Sequence, residues 1–106
     1  MVEEDLARFL RCLGEPTRLQ ILKCLIKGEK CVNELIREIN KEQSLISHHL
    51  GSLKKCNIVK DRQEAQRIYY KITDDRLAKL IIDCENLVGE LSLCKCGDEI
   101  PGDQEI

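Results

Sequence analysis

The sequence predicts a small, mainly α-helical domain that carries one two-stranded β-hairpin, with the element order α-α-α-α-β-β-α. Apolar residues recur at helical spacing through the first half of the chain. Residues Arg67–Ile72 alternate as a strand does, and a second apolar helical stripe follows Thr73. At 106 residues the chain can build one modest core. We therefore expect one folded unit, residues 1–93, and a cysteine-containing acidic tail, residues 94–106.

Four helices are predicted in the first half of the chain. The first ends at Gly14, Pro16 suits the first turn of the second, and the second stops at Gly28. A third helix follows from about residue 32, and a break at residues 40–41 separates it from a fourth that begins near Ser44. The inward positions of the four helices are Leu6, Phe9, Leu10 and Leu13; Leu19, Leu22, Leu25 and Ile26; Leu35, Ile36 and Ile39; and Ile46, His49, Leu50 and Leu53.

A hairpin and a fifth helix complete the predicted unit. Ile58 and Val59 open a short extended segment, and the polar stretch Lys60–Gln66 is predicted to form the tip of the hairpin. Thr73–Asp75 cap the last helix. Its apolar stripe consists of Leu77, Leu80, Ile81, Cys84, Leu87, Val88 and Leu91. A terminal helix with such a stripe needs a partner, and a second copy of a small chain is a natural one.

Composition excludes several classes of protein. No apolar run approaches the length of a membrane span, and the acidic start Met1–Asp5 is unlike a secretory leader, so we expect a cytoplasmic protein. One Phe, two Tyr and no Trp cannot form a stacking platform for single-stranded nucleic acid. Seven cysteines, an odd number without an export signal, are expected to be thiols. No cysteine motif includes a local base and acid, so we expect no enzymatic activity; a small thiol enzyme or metal-transfer protein is the remote alternative.

Charge is distributed unevenly along the chain, whose net charge is -2. The segment 41–71 holds seven basic and three acidic residues, a net of +4, whereas the chain from Asp83 onward carries a net of -6. A basic segment in an acidic protein is typical of a compact DNA-binding domain.

Two helices joined by a tight break and followed by a basic hairpin form a winged helix-turn-helix. A helix about 10 to 12 Å wide fits the major groove of B-DNA, and a cationic hairpin can lie along the adjacent backbone. The second helix of the pair includes Ser44–Leu53, and its polar residues near the N-terminus can reach base edges and phosphates.

Three motifs resemble those of the ArsR/SmtB family of metal-sensing repressors. Glu15–Leu22 resembles the opening D-P-T-R-L-x-I-L of that family. Ser47–Leu50, Leu53 and Asn57–Val59 resemble its recognition helix, S-H-H-L-x-x-L-x-x-x-G-L-V, and Arg67–Ile72 is similar to its second wing strand, R-x-Y-Y-x-L. The resemblance covers residues 6–92.

The resemblance implies a homodimer, paired through the first and last helices, on double-stranded operator DNA with dyad symmetry. Its recognition helices would enter major grooves about 34 Å apart. An inducer would release the DNA by binding the off-DNA form more tightly. His49 lies on the apolar side and is expected to be a core residue. The residues expected to contact DNA are Gln43, Ser44, Ser47 and His48, with Lys54 and Lys55 on phosphates and Arg62, Gln66 and Arg67 on the wing.

The expected inducer is a thiophilic ion, As(III), Cd(II) or Pb(II), held by cysteine thiolates. Zinc- and nickel-sensing members use histidines on the last helix, and this chain has no His after His49. Cys94 and Cys96 lie about 200° apart on an ideal helix, so they converge only after the helix has ended, and Gly97 supplies that ending. A third thiol would complete a trigonal site for a soft ion.

Three cysteines are candidates for the third ligand. Cys12 lies on the first helix, which is expected to pack against the last. Cys31 matches the first cysteine of the family metal box E-L-C-V-C-D-L, in which Asn33 replaces the second. Cys56 aligns with a cysteine of cadmium- and lead-sensing members, whose other recognition-helix cysteine is Ser52 here.

A redox signal without any metal is the alternative. Cys24 and Cys84 resemble the thiol pair on the second and last helices of persulfide- and oxidant-sensing members, although Cys24 is offset by one position. If they have no such role, we expect Cys24 to be a packing residue and Cys84 to be a small buried residue of the apolar stripe.

Overall fold

The computed structural model describes residues 1–91, which form five helices and one three-stranded antiparallel sheet. The elements are α1 Glu3–Leu13, α2 Pro16–Ile26, β1 Lys30–Cys31, α3 Val32–Ile39, α4 Gln43–Lys55, β2 Val59–Glu64, β3 Arg67–Ile72 and α5 Asp75–Leu91. The mainly helical fold with a two-stranded β-wing is confirmed, and the structure adds one short strand, β1, that the predicted element order did not contain. The two-residue strand β1 pairs with β3, with Lys30 opposite Tyr70, and the sheet order is β1-β3-β2. The predicted tail, with Cys94 and Cys96, lies outside the described residues.

Local chemistry determines where the helices of the helix-turn-helix begin and end. Pro16 starts α2, and the carboxylate of Glu15 accepts the backbone N–H of Arg18 at 2.9 Å as an N-cap. Asn40 ends α3 in the left-handed conformation, with φ 62° and ψ 50°, and donates its N–H to Ile36 O at 2.8 Å. This sharp end turns the chain directly into α4.

The hairpin, called the wing below, is longer and tighter than expected. β2 and β3 pair from Val59 opposite Ile72 to Glu64 opposite Arg67. Only two residues form the turn, so the assignment of the whole stretch 60–66 to the tip was wrong. Strand β2 could not be predicted from the sequence because it lacks an apolar alternation. It is an edge strand, and its side chains are mostly exposed and charged.

The core lies between α2, α3, α4 and the start of β2. Its fully buried side chains are Ile21, Leu22, Leu35, Ile46, Leu50, Leu53, Ile58 and Val59. In α5 only Ile81 is buried, and Cys84 is exposed, so the expectation of a buried Cys84 was wrong. The reason is that Cys84 lines an open groove between α5 and the helices α1 and α2. Over residues 1–91 no helix is long and apolar enough to cross a membrane.

Candidate DNA interface and thiol sites

Helix α4 has one buried face and one polar, exposed face. Ile46, Leu50 and Leu53 are fully buried against the core. The residues predicted to contact bases and phosphates are all exposed and lie within the first two turns: Gln43, Ser44, Ser47 and His48. Backbone N–H groups and the positive end of the helix dipole are found at the same end. This end of α4 is therefore suited to both base edges and phosphates.

His49 holds α4 against the start of α2. The residue is only 6% exposed, which confirms the expected core histidine. Arg18 Nε donates to His49 Nδ1 at 3.1 Å, and His49 Nε2 lies 3.7 Å from Glu15 Oε1. The guanidinium of Arg18 also donates to Cys12 O in α1 at 3.2 Å. Polar contacts with α2 thus hold α4 in addition to the core, and Arg18 joins α2 to α1 as well.

Two cations that were predicted to contact DNA form ion pairs within the chain. Arg62 donates to both carboxylate oxygens of Glu29, at 2.7 and 2.9 Å, and also binds Glu64. Its guanidinium lies 4.9 Å from the ring centroid of Tyr69. The guanidinium of Arg62 lowers the pKa of the Glu29 carboxyl. These contacts tie the wing to the loop that precedes β1.

Lys54 is similarly held by the wing, with Nζ 3.0 Å from Asp61 Oδ2. Lys55, Gln66 and Arg67 are exposed, and within residues 1–91 neither Lys55 nor Arg67 has an ion-pair partner. Among the residues predicted to contact the DNA backbone, these three have the side chains that are most available to phosphates.

An apolar groove runs between α1, α2 and α5. It has a volume of about 700 Å³, and Leu10, Leu80 and Val88 are among its lining residues. The exposed apolar side chains of α1 and the α5 stripe are Leu6, Leu10, Leu80, Leu87, Val88 and Leu91. Such a continuous apolar surface is typical of a protein–protein contact.

Cys12 and Cys56 line one cavity between α1 and the C-terminal end of α4. Cys12 Sγ lies 3.8 Å from Ser52 O, which fits a weak S–H donor. Burial, together with the neighbouring Cys56 thiol, raises the pKa of Cys12 to about 11. The structure therefore brings two of the three candidate third ligands together.

Cys31, the remaining candidate, is a structural residue of the α3 N-terminus. Its side chain is buried, and its backbone N–H donates to the carboxylate of Glu34 at 2.9 Å. Residues 1–91 contain no group of three or more His, Cys, Asp or Glu side chains suited to a metal ion. Cys94 and Cys96, the other predicted ligands, lie outside the described residues.

Cys24 and Cys84 have different surroundings. Cys24 is buried, and burial together with the side chain of Glu38 in α3 raises its pKa. Cys84 is exposed and lines the apolar groove. Their pairing as a redox switch stays a prediction.

The sequence interpretation missed the acidic partners of the wing and the role of Arg18. Glu29 precedes Arg62 by 33 residues, and Arg18 precedes His49 by 31. No local spacing links such pairs. The one available signal is the length of the Arg18 side chain, which sits in the first turn of α2, where a long donor can reach a neighbouring element.

A helix-turn-helix with an exposed polar second helix and an adjacent β-hairpin defines a winged-helix DNA-binding protein. Residues 15–61 match the family model for "Bacterial regulatory protein, arsR family". An HTH-type transcriptional regulator of Methanocaldococcus jannaschii is 46% identical over 83% of this chain and 96% of its own length. The chain belongs to the arsR family and is, like other members, a DNA-binding regulator of transcription.

Further relatives agree with this assignment. A "Probable mercury resistance operon repressor" of Streptomyces lividans is 32% identical over 93% of this chain and 80% of its own length. The solution structure of a homodimeric winged helix-turn-helix DNA-binding domain from Mycobacterium bovis is 30% identical, with a TM-score of 0.75. That match covers 82% of this chain and 81% of the Mycobacterium bovis chain.

Proposed function

We propose that this protein is a homodimeric repressor that releases its operator when a thiophilic metal or metalloid binds to cysteine thiolates. The observation that carries the DNA-binding part is the exposed polar N-terminal face of α4, opposite a fully buried face. The inducer is arsenite, cadmium or lead. The similarity to a protein named as a mercury resistance operon repressor favours a soft ion of this kind.

The proposed dimer forms through α1 and α5. Leu10, Leu87 and Leu91 are each at least half exposed, at 51%, 51% and 55%. A twofold contact of these helices would cover the stripe on both copies at once. The homodimeric state of the Mycobacterium bovis neighbour supports this arrangement. Two copies of α4 related by a dyad would then read an operator with dyad symmetry.

The proposed inducer site combines Cys94 and Cys96 with one thiol of the folded unit. Among the candidates, Cys56 is favoured because it is exposed and caps the C-terminus of α4. A ligand bound there acts directly on the helix that carries the DNA-contacting residues. Release requires only that the ion bind the off-DNA form more tightly than the DNA-bound form.

Fluorescence anisotropy with the anaerobically reduced protein and its own upstream DNA tests this proposal. Arsenite, cadmium, lead and zinc are added in turn to the complex. We expect a soft ion to release the DNA from the unaltered protein and from Cys24→Ser, but not from the double variant Cys94→Ser/Cys96→Ser. A double variant that responds normally to every such ion refutes the ligand assignment, whereas a protein without specific DNA binding refutes the repressor itself.

A further inference from the structure

The cavity between α1 and the end of α4, called the thiol cavity below, has a volume of about 420 Å³. It is lined by two thiols and four cationic side chains: Cys12, Cys56, Arg8, Arg11, Arg18 and Lys55. The only other lining residue is Ser52, so no carboxylate lines the cavity in the described part of the chain.

The two cysteines meet at one backbone oxygen. Ser52 O accepts the N–H of Cys56 at 3.2 Å and lies 3.8 Å from Cys12 Sγ. The Cys12 thiol, carried by α1, is thus placed beside the last turn of α4, where Cys56 follows. Cys12 is 5% exposed, whereas Cys56 is exposed. The Cys56 thiol can therefore react with a dissolved molecule, while the buried Cys12 thiol lies next to it.

The charge around the pair selects the reagent. Arg18 gives its side-chain hydrogen bonds to His49 Nδ1 and Cys12 O, and neither acceptor is a carboxylate. Arg8 is 3.6 Å from Asp5, in an exposed pair that offsets little of its charge. Neither Arg11 nor Lys55 has an ion-pair partner within residues 1–91. A cavity lined in this way favours anionic molecules over cationic ones of the same size.

We propose that Cys12 and Cys56 are a dithiol site that forms a disulfide by exchange with an anionic low-molecular-weight disulfide. The Cys56 thiolate attacks one sulfur of the small disulfide and releases one small thiolate. Cys12 then gives up its proton and attacks the sulfur of Cys56, which releases the second small thiolate. The two released thiolates take up the two protons, so two protein thiols are oxidised and one disulfide is reduced to two thiols.

This site goes beyond the proposed inducer site, because it needs no metal ion and uses neither Cys94 nor Cys96. It shares Cys56 with the inducer site favoured above, so the disulfide and the bound ion exclude each other. Its product is a covalent link between α1 and the C-terminal cap of α4. The link joins a helix of the proposed dimer contact to the helix of the proposed DNA contact.

Exchange kinetics of the full-length reduced protein test the proposal without metal or DNA. The probes are oxidised glutathione, which is anionic, hydroxyethyl disulfide, which is neutral, and cystamine, which is cationic. We expect a loss of two protein thiols and a tryptic peptide pair that links Cys12 to Cys56. The rate should be about tenfold higher with oxidised glutathione than with cystamine at low salt, and the difference should shrink near 1 M salt, where the Debye length is about 3 Å.

Variants separate this pair from the other thiols. Cys24→Ser and Cys84→Ser should form the same linked peptides, Cys56→Ser should form none, and Lys55→Gln should reduce the preference for the anionic probe. Circular dichroism checks that each variant is folded. A stable mixed disulfide on Cys56, a link from Cys56 to a tail cysteine, or equal rates for the anionic and cationic probes overturns the proposal. Because DNA release by metal ions is measured separately, neither outcome depends on the inducer site.

Discussion

Truncation of Leu87 tests whether the apolar stripe of α5 is the dimer contact. The side chain lies on the same face of α5 as Leu80 and Leu91, and Leu87 is 51% exposed in the single chain. If this face binds a second copy, Leu87→Ala must weaken the dimer without unfolding the chain, because Leu87 is not part of the buried core.

The magnitude follows from the exposed area. Half of the surface of a leucine residue is about 100 Å², and replacement by Ala removes roughly 60 Å² of the area that the dimer would bury. At about 25 cal/mol per Å², the dimer loses about 1.5 kcal/mol of binding free energy per copy. Because a twofold contact contains the residue twice, the dimer loses about 3 kcal/mol, which raises the Kd roughly 100-fold.

Sedimentation equilibrium over a range of protein concentrations measures this Kd directly. Ile82→Ala is the matched control, since Ile82 is also exposed, at 44%, but points to the opposite side of α5. We expect the control to dimerise like the unaltered protein. An unchanged Kd for Leu87→Ala, or an equal loss in Ile82→Ala, would refute the assignment of this face to the dimer.

Three further predictions concern the stability of the fold. Leu50→Ala removes a fully buried side chain of α4 and should lower the free energy of unfolding by about 3 to 5 kcal/mol in urea denaturation. Ala65→Gly should raise it by about 1 kcal/mol, because φ is 58° at the turn of the wing, a conformation that costs Ala energy and Gly none. The backbone N–H of Arg18 lowers the pKa of Glu15, so this cap contributes stability above about pH 5 that is lost as the pH falls further. In Glu15→Gln, Tm should therefore depend less on pH below about pH 5 than it does in the unaltered protein.

Much of the fold could be predicted from the sequence because helical periodicity is a local signal. The ends of α2 and α3 follow from Pro16 and Asn40, whose backbone preferences act without help from the rest of the chain. Strand β1 escaped prediction because two residues carry no periodicity, and it exists only through its pairing with β3. The burial of Cys84 was overestimated because the stripe of α5 was assumed to be covered, whereas in the single chain it is open.

The candidate site also divides into residues that local spacing predicts and contacts that only tertiary packing creates. The exposed face of α4 is a matter of helical spacing, so Ser47 and His48 could be chosen from the sequence. The pairing of Arg62 with Glu29 and the approach of Cys12 to Cys56 depend on tertiary packing, across 33 and 44 positions of the chain. No local pattern records such distances, and the charge count of the wing therefore overstated the cations available to DNA.

The most direct test of the account is the affinity of recognition-helix variants for specific DNA. A duplex is selected from a random pool by the unaltered reduced protein. Fluorescence anisotropy then compares Ser47→Ala/His48→Ala with the control Ser52→Ala, since Ser52 is a partly buried residue nearer the C-terminus of α4. We expect the double variant to lose at least about tenfold in affinity for the selected duplex, since a good base contact contributes about 1 to 3 kcal/mol, while binding to unrelated DNA changes little. Full affinity of the double variant for the selected duplex would contradict the assignment of α4 as the DNA-reading helix.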